Sequence, residues 1–215
     1  AAEIKKVLFN GQKPEPVKQA PCVKKNEAFK TSGQVQYVAQ NGNFRKKGLE
    51  YTGALEILKV ILSYDYLWIN LRVKGGAYGC MSGFKRNGES FLVSYRDPHL
   101  KRTLEVYQGV PDYIRAFEAD EREMTKYIIG TVSDMDTPLN PAAKGMRSVS
   151  AYLTNISYEE LQRERNEVLD AQPENIKNLA VLIEAVLAQD ALCVIGAEEN
   201  VEAEKDMFLE VKNLY

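Results

Sequence analysis

The chain has 215 residues, which is enough to bury a hydrophobic core as one large domain or two small ones. Its 28 basic and 30 acidic residues nearly balance, whereas a nucleic-acid-binding domain would normally carry a strong basic excess. No apolar run approaches the length of a membrane span, and no charged-then-apolar signal segment stands at the start. The composition therefore predicts a globular protein that binds neither nucleic acid nor membrane.

The cysteines and the histidine argue against a metal centre in this chain. Cys22, Cys80 and Cys193 are far apart and form no CxxC pair, which indicates free thiols in a reducing compartment. The single histidine, His99, lies at a predicted helix start and cannot build a His-rich zinc site alone. We therefore expect this chain to bind no metal, and we expect its location to be the cytoplasm or an organellar matrix.

The first third of the chain is predicted to contain an arm, a strand and a long helix. Residues 1–30 are rich in Lys, Pro and Gln, which is typical of a linker or arm from a preceding domain, so the folded domain is predicted to cover 31–215. Polar and apolar residues alternate near 35–39, which is the period of a half-buried strand. From about 49 to 72, apolar residues recur at helical spacing. They predict one buried stripe, formed by Ile57, Ile61, Tyr64, Trp68 and Leu71.

A hairpin and then a series of helices are predicted for the rest of the chain. Strand-like runs at 78–85 and 90–95 flank Asn87-Gly88, a dipeptide typical of hairpin turns. Helical patterns follow at about 98–118, 120–136, 142–153, 157–171 and 173–189. A short apolar run at 191–196 predicts a buried strand, and the pattern over about 199–212 predicts a last helix. This order predicts an α+β fold, with a mostly antiparallel or mixed sheet and helices packed mainly on one face.

One connection carries the clearest candidate for chemistry, the run Arg72-Val73-Lys74-Gly75-Gly76-Ala77-Tyr78-Gly79. The double glycine permits backbone conformations that stop a helix and turn the chain sharply. In a purely structural interpretation, Arg72 is a helix-end cation and Tyr78 packs on the sheet. In a functional interpretation, both face a cleft, where the arginine holds a carbonyl or carboxylate and the tyrosine donates to a developing oxyanion. Spacing alone favours the structural interpretation.

The same run resembles the arginine–tyrosine motif in the C-terminal half of inverted zincin metallopeptidases, the insulinase and pitrilysin group. The presequence protease branch of that group is the nearest match, and the resemblance covers about residues 30–215. Four other segments agree with the family in the same order. They are Gln36-Tyr37-Val38-Ala39 with Gly42-Asn43, Ser94-Tyr95-Arg96-Asp97-Pro98, Tyr152-Leu153-Thr154 and Leu161-Gln162-Arg163-Glu164-Arg165.

The resemblance implies a division of labour between two halves of a longer enzyme. In such enzymes two bowl-shaped halves enclose a peptide, and the N-terminal half carries an inverted H-x-x-E-H zinc motif. The arginine and tyrosine of the C-terminal half contact substrate carbonyls and help to polarise the scissile one. These roles fall on Arg72 and Tyr78 as catalytic and substrate-binding residues, with Gly75 and Gly76 as further substrate-binding positions. The H-x-x-E-H motif is absent from this sequence.

The resemblance therefore implies the C-terminal substrate-binding domain of a zinc metalloendopeptidase that degrades peptides inside a closed chamber. Zinc is expected in the missing N-terminal half of the same polypeptide, and this chain alone is expected to be inactive. The expected partners are a peptide substrate and that N-terminal half. The alternative is a non-catalytic peptidase-like domain that binds peptides or a partner subunit.

Overall fold

Six strands form one mixed sheet in the computed structural model, which describes residue 23 and residues 25–214. The strands are β1 (Glu27–Thr31), β2 (Gln36–Asn43), β3 (Gly79–Phe84), β4 (Glu89–Asp97), β5 (Ala191–Ala197) and β6 (Glu210–Asn213). Their order across the sheet is β3-β4-β2-β5-β1-β6. The neighbours from β3 to β5 run antiparallel, whereas β1 runs parallel to both β5 and β6. The predicted sheet type and the four strands predicted near 35–39, 78–85, 90–95 and 191–196 are confirmed.

The helices pack mainly on one face of this sheet, as the sequence predicts. Helix α1 begins as a regular α-helix at Ala54–Ile61 and continues through two π-helical stretches, Leu62–Tyr66 and Trp68–Val73. The others are α2 (Lys101–Gln108), α3 (Val110–Arg115), α4 (Glu121–Met135), α5 (Pro141–Leu153), α6 (Tyr158–Leu169), α7 (Pro173–Lys177), α8 (Ala180–Leu187) and α9 (Glu198–Ala203). Among the described residues, no helix combines the length and hydropathy that crossing a lipid bilayer requires.

Alternation along the strands separates a covered face of the sheet from an open one. Val38, Leu92 and Val194 lie on three neighbouring strands and are buried beneath the helices. Helix α8 approaches so closely that a Cβ at Gly42 would lie 2.3 Å from the carbonyl oxygen of Val186. At alternate positions, Met81 of β3 is 50% exposed, and Phe91, Val93 and Tyr95 of β4 are only partly buried. The described part of the chain therefore has its core between the helices and one face of the sheet.

The two π-helical stretches of α1 change which residues face the core. The sequence predicts a buried stripe that includes Tyr64 and Trp68, but these side chains are 70% and 37% exposed. A π-helical stretch bonds i to i+5 rather than i to i+4, so each stretch shifts the phase of the residues that follow it. Ile57, Ile61 and Leu71 are buried as predicted, and Leu67, which the predicted stripe does not include, is buried as well. Trp68 is thereby turned to the surface beside the end of α1.

The structure differs from the sequence prediction at both ends of the domain. Residues 27–30, placed by the sequence analysis in the arm, lie in β1, and most of that arm lies outside the described residues. The predicted helix over 199–212 is wrong in its second half, because α9 ends at Ala203 and 210–213 form β6. Glu27 pairs with both Cys193 and Glu210, partners too distant in sequence for a local pattern to show.

Two long predicted helices are each divided into shorter ones. The region predicted as a helix over 98–118 forms α2 and α3, which are separated at Gly109, and Pro111 lies in the first turn of α3. Proline has no backbone N–H and cannot continue the preceding hydrogen-bond pattern. The predicted helix over 173–189 likewise forms α7 and α8.

Candidate functional site

The candidate site begins where α1 ends at the double glycine. The N–H of Gly76 donates to the carbonyl of Arg72 at 2.9 Å, and the N–H of Ala77 donates to the carbonyl of Leu71 at 2.9 Å. Gly76 has a left-handed φ of +79°, the conformation that commonly closes a helix. A Cβ on Gly75 would lie 2.4 Å from the Leu71 carbonyl oxygen. Both glycines are therefore explained by the chain reversal, and their predicted contact with substrate stays a prediction.

This reversal brings Arg72 and Tyr78 together on the surface. The guanidinium carbon of Arg72 lies 5.8 Å from the centroid of the Tyr78 ring and 4.2 Å from that of the Trp68 ring. The Tyr78 side chain is 57% exposed, and its ring meets Tyr95 edge-on with 5.6 Å between centroids. Stacking on two aromatic rings orients the guanidinium without neutralising it. The structure thus places the two predicted residues side by side, with both polar groups facing away from the core.

Sequence reasoning did not single out Arg96, which adjoins the same tyrosine. Its guanidinium carbon lies 5.7 Å from the centroid of the Tyr78 ring, and its carbonyl accepts the Tyr78 N–H at 3.2 Å. The next residue, Asp97, is buried and accepts hydrogen bonds from the His99 N–H and the Thr103 hydroxyl. The only available signal was that Arg96 lies in one of the segments shared with the peptidase family.

The two guanidinium groups at this site form no ion pair within the described part of the chain. Neither Arg72 nor Arg96 forms an ion pair or a side-chain hydrogen bond with any residue from 25 to 214. Burial raises the pKa of the nearby Cys80 thiol to about 11, although the positive charge of Arg72 opposes that rise. The arrangement offers guanidinium N–H groups and a phenol O–H as donors to an anionic or carbonyl oxygen.

The described residues do not fit a zinc centre. From residue 25 to 214, no cluster of three or more His, Cys, Asp or Glu side chains could hold a metal ion. His99, the one histidine of the sequence, is exposed, and its own N–H donates to Asp97. The donors around Tyr78 are cations and a phenol, which do not ligate zinc in protein sites.

The fold is that of peptidase M16 domains. A crystal structure of a peptidase M16 inactive domain from Pseudomonas fluorescens aligns with 91% of this chain and 49% of that chain, with a TM-score of 0.63 and 16% identity. A family model described as the PreP C-terminal domain matches residues 26–198, so this chain belongs to the PreP C-terminal domain family. The resemblance to the presequence protease branch is thereby confirmed.

Two curated relatives show how much of a longer protein this chain spans. Protein HypA of Clostridium perfringens is 51% identical over 191 residues, which are 89% of this chain and 20% of the relative. Presequence protease 1, chloroplastic/mitochondrial, of Arabidopsis thaliana is 36% identical over 192 residues, which are 87% of this chain and 18% of the relative. The chain therefore spans about a fifth of the length of these relatives.

Proposed function

We propose that this chain is the substrate-binding C-terminal domain of a zinc metalloendopeptidase that degrades peptides inside a closed chamber. The observation that carries the proposal is the exposed pair of Arg72 and Tyr78, held together by the reversal at Gly75-Gly76. The name of the Arabidopsis relative, a presequence protease, supports a peptide as substrate. The proposal places zinc in the N-terminal half of the same polypeptide, which is the partner of this domain, as the family resemblance implies.

In this proposal Arg72 and Tyr78 act on the peptide directly. The Arg72 guanidinium donates to a peptide carbonyl and positions the chain, and its stacking on Trp68 limits the orientations it can adopt. The Tyr78 hydroxyl donates to the scissile carbonyl oxygen, on which negative charge develops as the bond is attacked. The exposed Gly76 bears no side chain that would keep the peptide from this surface, whereas the buried Gly75 contributes by permitting the reversal that holds the site together. In this proposal the protein acts in the cytoplasm or in an organellar matrix, and the chloroplastic/mitochondrial name of the Arabidopsis relative supports an organelle.

A non-catalytic domain that binds peptides or a partner subunit is the second candidate. The Pseudomonas fluorescens domain that shares this fold is described as inactive, which supports this candidate. Both candidates use the exposed donors around Tyr78, but only the first places them at a reacting carbonyl.

Substitution of Tyr78 by Phe in the full-length protein separates the two candidates. The exposed hydroxyl is lost while the ring and its contact with Tyr95 remain, so folding should be unchanged. Losing one oxyanion donor should lower kcat about a hundred- to a thousandfold, with little effect on KM. Tyr152→Phe is the matched control, because that side chain is 84% exposed on α5. A Tyr78→Phe enzyme with the wild-type turnover, measured with a quenched fluorogenic peptide, would refute the catalytic role.

A further inference from the structure

Two guanidinium groups surround the Tyr78 ring, and the proposed function uses only one of them. The guanidinium carbons of Arg72 and Arg96 lie 5.8 and 5.7 Å from the same ring centroid. Neither group meets a carboxylate within residues 25–214. Other arginines of the chain do, since Arg86 pairs with Glu164 and Arg165 pairs with Asp136. Two like charges held beside one ring without a counter-ion favour the binding of an anion.

A β-bulge turns Arg96 toward this surface. Gln36 pairs with Asp97 and Val38 pairs with Ser94, so β4 has one residue more than β2 between these pairs. Ser94 and Asp97 are both buried although they are three residues apart, which regular alternation would not permit. The extra residue places Arg96 outward, beside Tyr95. Bulges commonly redirect a side chain near a functional site.

The backbone of Arg96 supports the same interpretation. Its φ is +49°, a left-handed conformation that is unfavourable for a residue with a long side chain. Here that conformation directs the carbonyl to the Tyr78 N–H and the side chain to the Tyr78 ring. Backbone strain of this kind clusters at functional sites, where the surrounding structure holds it in place.

We propose that Arg96, together with Arg72, forms a carboxylate-binding site for the substrate peptide beside Tyr78. The guanidinium fork matches the geometry of a carboxylate and can donate two parallel N–H···O bonds to it. The carboxylate belongs to the peptide, either as an acidic side chain or as its C-terminus. The inference rests on the proposed function, because it assumes that peptides lie on this surface. It adds a preference for substrates that present a negative charge near the reacting bond.

The sole tryptophan of the sequence provides a direct readout of binding. Trp68 lies 4.2 Å from the Arg72 guanidinium carbon, so a ligand that moves Arg72 should change its fluorescence. The 215-residue chain is titrated at low salt with three nine-residue peptides of otherwise identical sequence. The first has a central Glu and an amidated C-terminus, the second a central Gln and a free C-terminus, and the third a central Gln and an amidated C-terminus. Isothermal titration calorimetry gives the dissociation constants independently of fluorescence.

At least one carboxylate peptide should bind roughly five- to tenfold more tightly than the neutral peptide, and salt should reduce the difference. The peptide that gains affinity over the neutral one, either the Glu peptide or the peptide with the free C-terminus, identifies the source of the carboxylate. Arg96→Asn should abolish the gain, and Asn tolerates the left-handed backbone better than most residues do. Arg96→Lys keeps the positive charge but loses the two parallel N–H donors of the guanidinium, so it should retain only part of the gain in affinity. Arg147→Gln on α5, which removes an exposed cation elsewhere, should change nothing.

The outcomes that overturn the inference differ from those that overturn the proposed function. If all three peptides bind equally, or if the gain survives in Arg96→Asn, the carboxylate site is wrong. The proposed function would still stand if neutral-peptide binding weakened in a Tyr78→Ala variant. If no peptide binds at any concentration reached, the inference fails and the proposed function loses its peptide-binding surface as well. Circular dichroism and the melting temperature confirm that each variant is folded.

Discussion

The Arg86 guanidinium donates hydrogen bonds to both carboxylate oxygens of Glu164, joining the β3–β4 turn to helix α6. The Nε atom lies 2.7 and 2.9 Å from the two oxygens, and Nη2 also donates to Oε2. The Glu164 side chain is only 6% exposed, whereas that of Arg86 is 42% exposed. The hydrogen bonds to Glu164 are the main reason that the pKa of Arg86 is raised. An enclosed carboxylate is thus hydrogen-bonded by a partner that reaches it from the surface.

Replacing Arg86 by Met should lower the free energy of unfolding by about 2–3 kcal/mol, because the enclosed Glu164 carboxylate loses its partner. Because the Arg86 side chain is 42% exposed, this loss of stability is smaller than the loss on breaking a fully buried ion pair. The neighbouring Lys85→Met is the control, since the Lys85–Glu89 pair is more than half exposed on both sides and should contribute less than about 1 kcal/mol. Urea unfolding followed by circular dichroism measures both. Equal losses in the free energy of unfolding of the two variants would show that the enclosure of Glu164 does not affect stability.

The glycine at the start of β3 supports the position of Tyr78. A Cβ on Gly79 would lie 2.3 Å from the ring of Tyr95, which packs edge-on against Tyr78. We expect Gly79→Ala to displace the Tyr95 ring, lower stability by about 1–3 kcal/mol and reduce peptide turnover in the full-length protein. The displaced ring is the physical link between the substitution and activity.

Gly145→Ala serves as the control for this prediction. Gly145 lies in the exposed helix α5, and nothing lies within 4 Å of a Cβ built there. Alanine in that helix should raise stability by about 0.5–1 kcal/mol and leave turnover unchanged. Thermal unfolding and fluorogenic-peptide kinetics test both variants. A Gly79→Ala protein as stable and active as the Gly145→Ala protein would contradict the role given to Gly79.

Short-range signals in the sequence predicted much of this fold. Asn87-Gly88 forms the predicted hairpin turn, and the helix predicted over 157–171 forms α6, where Ser157 and Glu160 make a reciprocal capping box. Each of these depends on residues within four positions of one another. The family and its α+β architecture were also predicted, because the segment around Arg72 and Tyr78 resembles that family, and the match of the PreP C-terminal domain model to residues 26–198 confirms the family.

The features that the sequence did not predict depend on distant partners or on helix phase. Strands β1 and β6 exist because residues 27–30 pair with segments more than 160 residues away. The exposure of Trp68 follows from π-helical stretches, for which apolar spacing gives no signal. Arg96 reaches Tyr78 through a bulge that is defined only by the register of β4 against β2. Arg72 and Tyr78 were thus predicted from the sequence, whereas the positions of Arg96 and Trp68 at the site became known only from the structure.

Burial of Cys80 makes its reactivity dependent on pH. Its pKa is about 11 against an ordinary 9.0, so at pH 8 it should react with iodoacetamide about a hundredfold more slowly than in the unfolded chain. The folded state holds the thiol proton more tightly, so the contribution of Cys80 to stability is present below pH 9 and is lost as pH rises toward 11. Peptide-level mass spectrometry resolves Cys80 from the other two cysteines. A folded-state rate at pH 8 equal to that in urea would contradict this prediction.

Because Arg72 lowers the pKa of Cys80, alkylation also reports on the charge at the site. Arg72→Gln should slow the Cys80 reaction further at a given pH, and Arg72→Lys should change it less. Arg122→Gln on α4 is a control that removes an exposed cation from another part of the chain. If the Cys80 rate is the same in Arg72→Gln as in wild type, the positive charge does not act on the thiol.

Arg72→Lys tests whether the planar guanidinium matters to activity beyond its charge. Lysine keeps the positive charge but cannot stack as a plane on Trp68 or donate two parallel hydrogen bonds to one group. We expect kcat/KM of the full-length protein to fall about ten- to a hundredfold, with contributions from both constants because Arg72 positions the peptide before and during the reaction. Arg122→Lys, the same exchange at an exposed position on α4, should leave both constants unchanged. Steady-state kinetics with a fluorogenic peptide decides the question, and wild-type kinetics in Arg72→Lys would mean that only the charge is used.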